Sequence, residues 1–450
     1  MTRSIGSAAL AVVLLLGASA FAQEPLPLER AIAVALESHP SIEVASAGLD
    51  QAGSGIGIAR SGLYPRISTG VSYTRSDNPV FAFSSLLNQR RFSQADFDVQ
   101  RLNHPGALQN FQSAIRIEQT LFDAGRTKQA IQAARTEREL STEAKRGAEA
   151  NIILHATRTY FGVAVTAEAL AVAEQAAEST RSDLKRAQSL FDAGLATRAD
   201  VLSVQAHLSA VEEQRIRASN DLHTAEAALN DALGLDLDRQ HTLTTALTAP
   251  EAPASTLNEY LRIAVENRSD LRQAALGGDL AEARRKQSES ARWPRIAGFG
   301  SVQADTDRFV VGGAGSWFAG ASMQWDIWKG SENRARIAAA RSAEAKAAAA
   351  RRQALSAALL QVRKTHGQLV SAGERVQATE AAIVRAEESR RIVANRYEAG
   401  LENVTELLRG ETTLTEARFR RLAALYEQRT SRAALDHSAG ILTPSSEALR

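Results

Sequence analysis

Two stretches of this chain, 127–191 and 331–397, run without a proline through sequence rich in Ala, Glu and Arg. At 1.5 Å per residue each would form a helix of roughly 100 Å. No globular core needs such a rod, so the rods must pack on neighbours along their length. Leu355, Val362, Leu369, Val376 and Ile383 fall seven residues apart, and Val163, Leu170, Ala177, Leu184 and Phe191 keep the same spacing. A sustained seven-residue period winds helices left-handedly around one another. The intervening seam positions are small, Ala358, Thr365, Ala372 and Ala386 in one stretch and Thr166, Ala173 and Ala187 in the other, which allows close approach.

The rods recur because the chain carries a tandem repeat, the first thing to seek in a long sequence. "YPRISTGVSY" from Tyr64 returns as "WPRIAGFGSV" from Trp293, 229 positions later. "LERAIAVALESHPSI" from Leu28 returns as "LNEYLRIAVENRSDL" from Leu257 at the same offset. "FDAGLATRADVL" from Phe191 matches "YEAGLENVTELL" from Tyr397 at an offset of 206, the first copy carrying a longer insertion between its strands. The chain therefore divides into a leader, 1–22, and two repeats, 23–249 and 250–450. Each repeat is expected to run through a first helix (28–62; 257–292), two strands (about 66–74 and 113–122; about 295–304 and 316–328), a long helix (127–191; 331–397) and a return helix (197–234; 404–440). Pro65 and Pro294 end the first helices, since proline lacks a donor and disfavours helix before it. Gly125 and Gly330 close the strand pairs, and Gly194 and Gly400 reverse the rods. A return helix covers only about 55 Å. The first helix has about the missing length, so two shorter helices stacked end to end are expected beside each rod, with 235–256 passing the chain from copy to copy.

Alternation marks the strands. Ile67, Thr69, Val71 and Tyr73 oppose Ser68, Gly70, Ser72 and Thr74; Ile115, Ile117 and Leu121 oppose Arg116, Glu118 and Thr120. Trp317, Ala319, Ala321, Met323, Trp325 and Ile327 oppose Gly320, Ser322, Gln324 and Asp326. The residues between the first two strands, 74–112, read as a polar surface loop. Trp293, Trp317, Trp325 and Trp328 all lie in the second strand pair or its border, and with Tyr64 and Tyr73 they supply the aromatic girdles of lipid-facing strands. The helices spend their seams on each other, leaving nothing to cover the apolar strand face. Four strands cannot close a transmembrane barrel, and an open edge is not tolerated in lipid. Two, three or four copies would satisfy that demand; a periplasmic coiled-coil scaffold with soluble sheets is the alternative.

Composition narrows the function. Lys plus Arg, 53, nearly balances Asp plus Glu, 51, so there is no field to hold nucleic acid. Cysteine is absent, which excludes disulfides, thiolate metal sites and a thiol nucleophile. Arg3, the apolar run "AALAVVLLLGASA" and Ala20-Phe21-Ala22 form an export signal cleaved after Ala22, and no later window could cross a bilayer as a helix. Gly53, Gly55 and Gly57 imitate a nucleotide loop but sit inside a helical stretch with no preceding strand. The eight histidines are scattered, and no catalytic constellation converges. No metal, no cofactor and no enzymatic activity are expected.

The tandem repeat, the prolines at the helix-to-strand turns and the two glycine-leucine tips resemble the TolC family of outer-membrane efflux proteins over essentially the whole mature chain. That resemblance implies a mainly α fold, with a helical coiled-coil barrel in the periplasm and a homotrimer whose four strands per protomer form a 12-stranded barrel in outer-membrane lipid. It implies a passive exit duct of a tripartite efflux or type I secretion system, docking to a periplasmic membrane-fusion adaptor and, through it, to an RND, ABC or MFS pump in the inner membrane. By position, Gly194, Leu195, Gly400 and Leu401 are the adaptor-docking tips, and Asp200, Glu406 and Tyr397 belong to the periplasmic aperture. The chain departs from the family where a second acid would follow Glu406, with Arg409, and where an arginine would follow the second tip, with Glu402.

Overall fold

The computed structural model describes residues 24–250, 255–309 and 313–449, so the export signal read over 1–22 lies outside the described residues. The chain begins with β1 (Glu24–Leu26), α1 (Leu28–Ser38) and α2 (Pro40–Ser61). The single helix expected over 28–62 is thus two. His39 precedes a proline and takes an extended conformation, and its Nδ1 accepts a hydrogen bond from Ser41 N at 3.1 Å to start the second helix. β2 (Arg66–Ser76) follows Pro65. The stretch read as a loop contains α3 (Pro79–Asn88) and α4 (Val99–Asn103), and β3 (Leu108–Phe122) starts earlier than expected. Then come α5 (Arg126–Asp192), α6 (Arg198–Leu233) and β4 (His241–Leu243).

The second half runs through α7 (Leu257–Asn267), α8 (Ser269–Ser290), β5 (Arg295–Thr306), β6 (Ala314–Gln324), α9 (Glu332–Glu398) and α10 (Val404–Ser438). Here too the expected helix over 257–292 is broken, at an extended Arg268 and without a proline. The element lengths match between halves: 11 and 22 residues for the paired short helices and 67 for each rod. β6 stops at Gln324 rather than running to 328. Its partner β5 begins at Arg295, opposite Gln324, directly after Pro294, so residues beyond have no strand to pair with.

Each rod is flanked by two shorter helices in series. Gly62 after α2 lies against Thr127 at the start of α5, while Glu212 of α6 pairs with Arg181 near the other end at 3.2 Å. In the second half Glu344 of α9 meets Arg285 of α8 at 2.9 Å, and Glu387 meets Arg418 of α10 at 3.0 Å. The return helices end on the breaks. Gly234 and Gly440 have positive φ, 69° and 74°, and a Cβ on either would fall 2.7 Å from Ser38 O or 2.8 Å from Arg268 N. Arg268 adds a hydrogen bond to Ser438 O at 2.7 Å. The expected small seam is buried at Ala173, Ala187, Ala358, Thr365, Ala372 and Ala386 and half-buried at Thr166; of the seven-spaced residues Val163, Ala177, Val362, Leu369 and Val376 are buried, whereas Phe191 and Leu355 are exposed.

The largest apolar cluster sits at the waist, where Leu28, Ile32, Ile153, Tyr160, Phe161, Leu229, Leu233 and Leu425 meet. Tyr160 Oη donates to Leu26 O at 2.8 Å and accepts from Thr245 N at 3.0 Å, locking β1 and β4, which pair in parallel. The main sheet is antiparallel throughout, in the order β2-β3-β5-β6, with Ile67 opposite Ile117, Ile115 opposite Val302 and Val302 opposite Trp317. β2 and β6 are its edges.

Candidate functional site

The register sorts the sheet into two unlike faces. One carries Ile67, Val71, Tyr73, Ile115, Ile117, Val302, Trp317 and Met323, and every one is exposed. The other carries Arg66, Ser68, Ser72, Asn110, Gln112, Arg116, Glu118, Ser301, Gln303 and Asp305. Phe299 and Phe318 are the aromatic exceptions there, their rings 6.2 Å apart. A sheet packed in a soluble protein shows the reverse, with its apolar face covered. Here the apolar face is bare, and what cover the sheet has lies on the distal part of the polar face. α3 lies across its distal end, where Gln89 meets Asn110 and Asn110 meets Asp305, both buried.

Of the expected girdle residues, Tyr64, Trp293, Trp325 and Trp328 lie at the end of the sheet next to the long helices, all exposed. Trp325, Ile327 and Trp328 stand beyond β6 rather than within it, and Trp325 Nε1 donates to Arg292 O at 3.1 Å. Toward the far end Tyr73 packs on Phe111 at 4.7 Å and Phe111 on Phe309 at 5.6 Å. Trp317 is opposite Val302, inside the sheet rather than at a strand end. Tyr64 and Tyr73 are nine residues apart. That is roughly 30 Å of strand, or about 23 Å of height at a tilt of about 40°, close to the apolar band of membrane barrels. Among the described residues no helix is long and apolar enough to cross a membrane.

At the strand-to-rod turns Gly125 and Gly330 have φ of 80° and 56°. Asp123 accepts hydrogen bonds from the amides of Gly125, at 3.1 Å, and Thr127, at 2.7 Å, fixing the entry into α5.

The far ends of the rods are matched reversals. Gly194 and Gly400 adopt φ of 74° and 71°, with nothing near the place a Cβ would take. Leu195 N donates to Leu190 O and Leu401 N to Arg396 O, both at 2.8 Å, closing each helix in the same way. The leucines are left 78% and 69% exposed. Asp200 closes a capping box: its Oδ2 accepts from Thr197 N and Oγ1, both at 2.8 Å. Glu406 pairs with Arg409 at 3.3 Å, and Asn403 Oδ1 caps α10 through Glu406 N. Tyr397 is buried with Ala187, Val201, Val204, Val404 and Leu407, and its hydroxyl has no hydrogen-bond partner among the described residues. Burial first, then the charges of Asp200 and Asp183, push its pKa up.

About three turns behind the tips is a charged group that the sequence pattern did not single out. Asp183 of α5 is 1% exposed and faces Glu411 of α10. Arg390 of α9 binds Glu411 at 2.6 Å and Ser179 Oγ at 3.2 Å, and Arg186 reaches Asp183 at 3.3 Å and Glu398 at 2.9 Å. Burial, with repulsion from Glu411, raises the Asp183 pKa to about 6 against the pull of Arg390 and Arg186. Among the described residues no donor reaches Oδ2 of Asp183, and a proton shared between the two carboxyls would supply one. Glu411 also lines a cavity with Thr180, Thr412 and His207 of α6, and burial lowers the His207 pKa despite Glu411. The signal for Glu411 was present: it interrupts the apolar stripe Val404, Leu407, Leu414.

Residues 31–235 and 260–441 match the family described as outer membrane efflux protein. The chain is 26% identical over 423 residues to the protein CyaE of Bordetella pertussis, covering 93% of this chain and 85% of that one. It is 20% identical over 419 residues to the outer membrane protein TolC of Salmonella enteritidis, covering 90% and 80%. Its fold superposes on the Campylobacter jejuni CmeC outer membrane channel with a TM-score of 0.79 at 16% identity, over 100% of this chain and 96% of that one.

Proposed function

The chain belongs to the outer membrane efflux protein family, and from that premise we propose that it is the outer-membrane exit duct of a tripartite efflux or type I secretion system. The observation that carries this reading is the exposed apolar face of a four-stranded sheet whose two edges pair with no other strand among the described residues. In lipid an apolar face is satisfied, but free edges are not. Three copies joined β6 to β2 would close a barrel of roughly 12 strands, apolar outside and polar within. The paired rods, presented as two tandem repeats per copy, would then line a hollow periplasmic barrel.

The duct performs no chemistry and holds no cofactor; it is a path that the partners energise. Leu195 and Leu401 are small apolar knobs on tight reversals, suited to the hairpins of a periplasmic adaptor that couples the duct to an RND, ABC or MFS pump. Asp200 and Glu406 lie within a turn of those tips, so trimerisation would set them in rings of charge at the periplasmic mouth, drawing cations. Tyr397 supports that mouth from behind, as a packed residue.

The test is extraction followed by reconstitution. The protein is expected to resist salt washes of the envelope, to leave it with detergent as a trimer, and to form channels in planar bilayers. A monomer released by buffer alone would mean a soluble scaffold and would overturn the reading.

A further inference from the structure

The helix α3 is amphipathic in the wrong sense for a surface loop. Ala82, Ser85 and Gln89, its small and polar residues, are buried against the polar face of the sheet. Val80, Phe83 and Leu87, spaced three and four apart, point away from it; Val80 and Leu87 are exposed, while Phe83 rests one side of its ring on Phe92 at 5.0 Å and leaves the other open. The helix is pinned in this attitude. Gln89 Nε2 donates to Gln109 O at 2.9 Å and to Asn110 Oδ1 at 2.8 Å, and Asn110 Nδ2 donates to Asp305 Oδ1 at 2.6 Å. Arg90 donates to Gly315 O at 3.0 Å, and Arg91 pairs with Asp307 at 2.9 Å, tying the helix to the turn between β5 and β6 as well.

We propose that α3 is an inward-folded constriction at the distal mouth of the duct, its Val80, Phe83 and Leu87 face meeting the same face of the other copies around the channel axis. This rests on the trimeric duct proposed above. Its polar sheet face is then the channel wall, so a helix bound to that face is inside the barrel. Roughly 12 strands spaced about 4.8 Å and tilted about 40° make a wall about 12 Å from the axis. A helix with its side chains is about 10–12 Å across, so a helix lying on the wall reaches the axis. An apolar stripe there would face water unless an identical stripe covered it, and symmetry puts identical stripes opposite. The occupant of the face is therefore a second copy of this chain. The constriction is apolar, so it excludes water and ions until α3 moves.

The chain has no native cysteine, which makes a crosslinking test clean. In detergent-extracted trimers, Leu87→Cys and Val80→Cys should each give chain-to-chain dimers on mild oxidation, reversed by reductant. The triple variant Val80→Asp, Phe83→Ser, Leu87→Asp should raise single-channel conductance by at least about twofold. Verified trimers that neither crosslink at either position nor gain conductance in the triple variant would overturn the constriction while leaving the duct standing. A chain that forms no trimer would overturn both.

Discussion

Asp183 shows how one residue can make the rod assembly respond to pH. Its carboxyl is held out of water beside Glu411, so the folded protein keeps a proton that the unfolded chain releases at the ordinary carboxylate pKa near 3.8. Below about pH 4 both states are protonated and the site has no effect on stability. Between about pH 4 and 6 the folded state binds more protons than the unfolded one, so stability falls as pH rises. Above about 6 the loss is complete and constant. Asn mimics the protonated acid, so Asp183→Asn should be more stable than the parent at pH 7.5 by about 1–3 kcal/mol, with no advantage at pH 4. Thermal midpoints of the purified trimer at the two pH values decide it; equal differences at both would show that the carboxyl is not proton-linked. Because Arg390 and Glu411 belong to the second-half hairpin and Asp183 to the first, the same proton links the two hairpins behind the tips.

At the scale of elements, the glycines at helix ends fall into two kinds. Gly194 and Gly400 need only a positive φ, because the space for a Cβ is open. Gly234 and Gly440 need the φ and also the absent side chain, since their return helices butt against the backbone at the α1-α2 and α7-α8 breaks. Gly194→Ala should therefore cost only about 1 kcal/mol. Gly234→Ala and Gly440→Ala should each cost clearly more, roughly 2–4 kcal/mol, read as lower thermal midpoints of the trimer. Equal losses at all these sites would mean that the end-to-end stacking contributes nothing. The breaks also show what local sequence carries. Periodicity revealed rods, strands and tips because each is written in neighbouring residues. The helical period continues across His39 and Arg268, and only the end of α10, 170 residues away along the chain, explains the second break. The same holds for α3, whose anchors Gln89, Asn110 and Asp305 are far apart in sequence, and for Asp183, whose partner Glu411 lies in the other half.

For the whole molecule, the decisive question is what solvent the apolar sheet face meets. Val302 and Ile115 lie side by side near the middle of that face, 61% and 51% exposed. Trp328 lies at the border next to the helices, 83% exposed. If water covered the face, a charge at any of the three would shift stability by no more than about 0.5 kcal/mol, as at ordinary surface positions. If lipid covers it, the cost depends on depth: about 2–4 kcal/mol for arginine near the midplane and about 0–1 kcal/mol at the border. Val302→Arg and Ile115→Arg should therefore weaken the bilayer-embedded trimer strongly, and Trp328→Arg only slightly. Ser68→Arg, beside the partner of Ile115 but exposed on the polar face, should be tolerated because it would face the channel. Heat-induced dissociation of trimers reconstituted in vesicles measures all four. The contrast between Ile115 and Ser68 is the sharpest part of the test, since the two sit on adjoining strands at nearly one depth and differ in the face they occupy. If they respond alike, the sheet does not separate lipid from channel, and the barrel cannot be closed in the manner proposed.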